Sequence, residues 1–160
     1  MKIIAILMVI VLVAAIGGVG YLYMTANVAV TAVGMTATEA SVQQATFDKL
    51  KTDVEQNSLV GTLFQSGVQL GQAEEYQFYT YTVRLRNGCM LPCDMVELQV
   101  TPREGDVLQM GSGQAKALGA GATGDISATV LTSVNSTSVR ELIITYYVWG
   151  IPFTVKTTYG

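Results

Sequence analysis

Hydrophobic and polar positions change their period twice along this chain, and each change predicts a different kind of element. The first block has no polar period at all. Residues Ile3 to Met24 are 22 consecutive positions without a charged side chain, preceded only by Met1 and Lys2. A helix of that length, rising about 1.5 Å per residue, spans the roughly 30 Å hydrocarbon core of a bilayer. From Asn27 to Thr38, Val28, Val30 and Ala32 alternate with Ala29, Thr31 and Val33, which predicts a strand leaving the apolar block with almost no linker. Phe47, Leu50 and Val54 then recur at helical spacing behind Ser41-Val42-Gln43-Gln44, which has the form of a capping box, so a single amphipathic helix is expected over residues 42–57. A helix of this kind either binds a partner or covers a sheet, and the second use is the commoner one.

Beyond residue 58 the period becomes two. Short strands are expected at Leu59–Phe64 before Ser66-Gly67, at Glu75–Arg86, at Met95–Thr101 before Pro102, at Asp106–Met110, and around Ile126, Ala128 and Val130. Leu142, Ile144, Tyr146 and Val148 mark another, and Trp149-Gly150 turns the chain into a last strand carrying Ile151, Phe153 and Val155. Six to eight short strands without βαβ alternation predict a mainly β fold: an antiparallel immunoglobulin-like β-sandwich with one amphipathic helix, following an N-terminal transmembrane-type helix. The division expected is residues 1–24 as anchor and 25–160 as one extracytoplasmic domain.

The apolar block admits three readings. Lys2 and Val13-Ala14-Ala15 fit a cleaved signal peptide, but Ile16, Val19, Tyr21, Leu22, Tyr23 and Met24 carry the apolar run past such a site. An uncleaved signal anchor fits its length better, with Tyr21 and Tyr23 near one end, where a ring with a polar tip suits the headgroup region. Lys2 is the lone basic residue before Lys49, so the N-terminus is expected inside and the domain outside. Type IV pilin-like assembly helices carry a glutamate five residues after their cleavage point, whereas the first acidic residue here is Glu39. Ala14, Ala15, Gly17, Gly18 and Gly20 permit close helix packing, so self-association, as in a surface filament whose apolar helices pack in its core, stays as the alternative.

Two further segments resemble secreted immunoglobulin-like modules. Tyr81-Thr-Val-Arg-Leu-Arg-Asn-Gly88, Leu91-Pro92 and Val96-Glu-Leu-Gln-Val-Thr-Pro102 look like a hairpin in which a strand ends in Asn-Gly and a proline-containing loop leads to its partner. Leu118 to Ile126 is similar to the glycine-containing turn that introduces the next strand of such modules. The nearest families are the CARDB-like and FxLYD-like bacterial surface domains and, more distantly, the late-embryogenesis-abundant type 2 fold. The resemblance covers residues 75–160, and it implies adhesion, scaffolding or protein interaction without catalysis.

Composition narrows the chemistry. Histidine is missing altogether, which removes the commonest general base and a common metal ligand. Of nine basic residues one is Lys2, so the remainder sets eight against twelve acidic residues and carries no basic patch for nucleic acid. Cys89 and Cys93, the two cysteines, stand four apart in a loop and are expected to form a structural disulfide outside the cytoplasm. A thiol-disulfide enzyme would need Cys-x-x-Cys spacing, and zinc would need two more ligands. The glycine-rich stretch Gly111–Gly124 has Lys116 followed by Ala117, not Ser or Thr, and is read as an inter-strand loop. Glu74-Glu75, Glu104 and Asp106 are read as solvated carboxylates, and Asn135-Ser136-Thr137 is a formal glycosylation sequon. Phe78, Tyr147 and Trp149 lie on the strand faces opposite Tyr79, Tyr81 and Tyr146, and are candidates for an exposed interaction surface. No cofactor is expected. The expected partners are the lipid bilayer through residues 3–24, an envelope or surface protein, and other copies of the chain.

Overall fold

The computed structural model describes residues 2–56, 58, 62–65, 67, 69–111 and 116–160. The chain opens with helix α1 (Lys2–Thr25), none of whose side chains is buried. Its last turn closes where the Thr25 hydroxyl donates back to the Tyr21 carbonyl at 2.8 Å. After two intervening residues β1 (Val28–Glu39) begins, followed by a 3-10 turn (Ala40–Gln43) and helix α2 (Gln44–Glu55). The capping box expected at Ser41 does not form. Gln43 is the N-cap and makes no side-chain cap bond, while the Ser41 hydroxyl lies 3.4 Å from the Glu39 carboxylate.

Among the described residues eight more strands follow: β2 (Thr62–Gln65), β3 (Tyr76–Asn87), β4 (Cys93–Val100), β5 (Asp106–Met110), β6 (Lys116–Leu118), β7 (Thr123–Ser133), β8 (Arg140–Val148) and β9 (Ile151–Tyr159). Of the strand expected at Leu59–Phe64, residues 59–61 lie outside the described residues, as does Ser66 of the turn after it. Residues 116–118, expected within a loop, form β6 against β4. One antiparallel sheet has the order β1-β3-β7-β5-β2 and the other β6-β4-β8-β9. The runs β1-β3-β7-β5 and β4-β8-β9 reproduce the four-plus-three division of an immunoglobulin-type sandwich.

The main core lies between the sheets: Tyr81, Val83 and Leu85 from β3, Val96, Leu98 and Val100 from β4, Ile126, Ala128 and Val130 from β7, and Leu142, Ile144 and Tyr146 from β8. A second, smaller core lies on the outer face of the first sheet. There Phe47 and Leu50 of α2 cover Phe78, Leu108 and Leu131. Phe78 is 2% exposed, which corrects its assignment to an exposed surface. Period two says only that Phe78 opposes Tyr79. The position of α2 decides that this outer half is covered. The other half of the same face is open and polar, with cross-strand pairs Thr80–Thr129 and Thr82–Ser127 at 2.9 Å and Arg84 paired to Asp125 at 2.8 Å.

Register slips in β1 and β4 shift the alternation. In β1 the register slips between Val30 and Ala32, and the Thr31 hydroxyl donates to the Arg84 carbonyl, so the inward positions become Val33 and Met35 instead of Ala32. In β4 the slip between Asp94 and Glu97 is accommodated by Met95 at φ +49°, and it lets both Cys93 and Val96 face the core.

Candidate functional site

α1 enters the sandwich at a junction built from backbone and one thiol. The Gly88 amide donates to the Asn27 carbonyl at 2.8 Å, and the Asn27 amide donates to Cys89 Sγ at 3.1 Å. A β-carbon at residue 88 would stand 3.0 Å from that carbonyl, so glycine permits the approach. Tyr23 in the last turn of α1 lies 5.4 Å from the Phe153 ring, which in turn stacks on Tyr146 at 5.6 Å. The helix is thus joined to both sheets, through β1 and through β9.

Behind this junction Asn87 is fully buried and organises three loops. Its Nδ2 donates toward the carbonyls of Leu91, Leu118 and Gly119 at 2.9 to 3.0 Å, and its Oδ1 accepts the Cys89 amide at 2.8 Å. The Asn87-Gly88 pair is therefore a hub, with Asn87 tying loops together and Gly88 admitting the junction strand. Nothing in the local pattern marks Asn87 as buried, because two of its three acceptors, Leu118 and Gly119, lie 31 and 32 positions away.

Cys89 and Cys93 are both buried free thiols, with Cys93 donating toward Cys89 at an Sγ–Sγ distance of 4.0 Å. No bridge joins them: Cys89 Sγ is engaged by the Asn27 amide and by its carbonyl at 3.6 Å, and the β4 bulge turns Cys93 into the core. Burial, with Cys89 alongside, pushes the Cys93 thiol up from 9.0 to about 12. That is the opposite of the depressed value a redox nucleophile needs.

The carboxylates separate in the same way. Asp106 is not solvated: its side chain is fully buried against Arg140, with Nη2–Oδ1 at 2.7 Å and Nε–Oδ2 at 3.1 Å. Glu75 closes a capping box with Gln72 at the 3-10 turn Ala73–Glu75. Among the described residues, no three Cys, Asp or Glu side chains gather into a group able to hold a metal ion.

Of the aromatic candidates, Trp149 is 71% exposed at the tip of the β8–β9 hairpin and Tyr147 is half-buried beside Asp94 on β4. The turn is a two-residue one with both central residues at positive φ, Trp149 at +56° and Gly150 at +76°. Phe78 lies in the second core, so the three candidates do not form one surface. Ala14, Gly17 and Gly18 all lie on the exposed α1, and added β-carbons at Gly17 and Gly18 would meet nothing within 4 Å. Asn135 is exposed in the β7–β8 connection, at a shallow polar concavity shared with Arg103, Glu104 and Thr137.

No family model matches the chain, and no curated protein matches it by sequence. Among solved structures it is similar to a FixG-related protein from Vibrio parahaemolyticus, with a TM-score of 0.35 and 13% sequence identity over 79% of this chain and 94% of that one.

Proposed function

We propose that this protein is a non-enzymatic, membrane-anchored module, in which α1 spans the bilayer with its N-terminus inside and holds the sandwich on the outer face. Its role is protein interaction, adhesion or envelope scaffolding, the class to which the resemblance to CARDB-like and FxLYD-like modules belongs. The observation that carries the reading is the contrast between α1 and everything after it. Helix α1 is long enough for a bilayer, apolar on every side and without one buried residue, while Ala26 and Asn27 alone separate it from a sandwich that buries its own core. Such a helix needs an apolar surrounding that the domain does not supply.

The deciding experiment is protease shaving of intact cells with identification of the retained N-terminus. A protected fragment covering residues 1–25 supports the anchor and its orientation. A mature protein beginning near Ile16 overturns it. Sedimentation after detergent extraction separates the filament alternative: an anchored monomer is released, whereas a filament built on packed α1 helices pellets intact.

A further inference from the structure

The two ends of the sandwich differ in chemistry. At the end where α1 joins, the connections are Gly88-Cys-Met-Leu-Pro92 between β3 and β4, Gly119-Ala-Gly-Ala122 between β6 and β7, and Trp149-Gly150 between β8 and β9, with Ile151-Pro152 opening β9. Not one of these residues has a charged or amide side chain. At the far end stand Arg103, Glu104, Asn135, Ser136 and Thr137. The strand registers place the apolar connections together: Val28 pairs with Asn87, Asp94 with Tyr147, Cys93 with Leu118, and Val148 with Ile151.

Apolar side chains in these connections, and Met95 on β4 next to them, point into solvent. Met90 is 74% exposed, Trp149 71% and Met95 54%. Trp149 and Met95 are also the two non-glycine residues at positive φ among the described residues. A bulky side chain in that region is strained, and the hairpin tip is a place where asparagine or glycine would relieve the strain. Neither residue contributes to a core. Large apolar groups thus project outward from the face that the two-residue spacer and the Asn27–Gly88 bond hold beside the end of α1.

We infer that this end of the sandwich is seated in the headgroup region of the bilayer, with Trp149, Met90 and Met95 as interfacial anchors beside Tyr21 and Tyr23. The inference rests on the anchor reading above and adds to it that the domain lies against the lipid instead of standing away from it. Indole suits that depth, because its ring is apolar and its N–H still finds water or a headgroup acceptor. Arg86 and Asp94, at the ends of β3 and β4 next to these loops, are exposed and form a charged rim suited to the aqueous side.

Trp149 is the one tryptophan in the chain, so its fluorescence reports on this face alone. The full chain is reconstituted in phosphatidylcholine nanodiscs holding one copy each. The expected result is emission blue-shifted from that of a water-exposed indole, a several-fold loss of quenching by aqueous acrylamide, and strong quenching by lipids brominated near the top of the acyl chain. Met90→Asp combined with Ile151→Asp, in the β3–β4 loop and at the exposed first position of β9, is expected to return Trp149 to water. Protein that survives alkaline washing of vesicles but keeps a water-exposed Trp149 overturns the seating while leaving the anchor intact. Protein removed by the wash overturns both. A blue shift seen only with two or more copies per disc assigns the face to a second chain and also overturns the seating.

Discussion

Arg140 on β8 and Asp106 on β5 meet as a two-bond ion pair with both side chains fully buried, linking one sheet to the other. The pair also closes the far end of the sandwich. Arg140 donates to the carbonyls of Thr137 and Val139 and to the Ser136 hydroxyl, while Asp106 accepts the Arg103 amide at 2.8 Å. Tyr79 and Tyr81 donate to the Ser136 and Ser138 carbonyls from below.

Removing one partner leaves a charge in the interior with no compensation. Asp106→Ala is therefore expected to lower stability by about 3–5 kcal/mol in denaturant unfolding of the detergent-solubilised chain. The double variant Asp106→Leu with Arg140→Met is expected to lose less than Asp106→Ala alone. A larger loss in the double variant would show that the pair contributes net stability beyond mutual neutralisation.

Asn87 gives a sharper local test. Asn87→Asp keeps the size but turns a donor into a carboxylate facing the carbonyls of Leu91, Leu118 and Gly119. It is expected to be more destabilising than Asn87→Ala, which leaves buried acceptors unpaired at about 1–3 kcal/mol. Equal losses for the two variants in parallel unfolding curves would mean that the loops relax away from residue 87.

Alkaline pH should weaken the native state through Tyr81. Burial raises its phenol from 10.0 to about 12, in part opposed by Arg140 nearby. Below pH 10 both folded and unfolded chains hold this proton, so Tyr81 contributes no slope. Between pH 10 and about 12 the folded chain holds it and the unfolded chain does not, so stability falls as pH rises. Cys93, raised from 9.0 to about 12, adds the same sign from pH 9 upward. Tyr81→Phe is expected to flatten the curve above pH 10 in unfolding titrations. An unchanged slope would place the effect elsewhere.

The same burial governs the thiols. Cys89 and Cys93 are expected to resist alkylation in the folded chain and to react fully once it is unfolded, as read by intact mass. Native-state alkylation as fast as that of a free thiol would show that the loop opens readily.

Trp149 sits where the turn favours another residue. Trp149→Asn is expected to raise the thermal midpoint of the detergent-solubilised chain slightly, because asparagine tolerates the left-handed backbone at lower cost. A drop would mean that the exposed indole contributes packing over its own hairpin.

Periodicity carries most of this architecture in the sequence. An uninterrupted apolar run predicts α1, because nothing in a polar-free stretch of 22 residues depends on distant partners. Period two over Tyr79, Tyr81, Val83 and Leu85 predicts the inward face of β3, because alternation is a local property of an extended backbone. What escaped the sequence lies where segments meet. Only the placement of α2 decides that Phe78 is buried. Bulges at Thr31 and Met95 shift the alternation by one and send Cys93 inward, and a slip of register leaves no mark in composition. Asp106 reads as a turn carboxylate until Arg140, 34 residues on, is brought against it. Local physics determined which faces exist in this protein. Tertiary packing decided which of them are covered, since burial is set by neighbours distant in the chain.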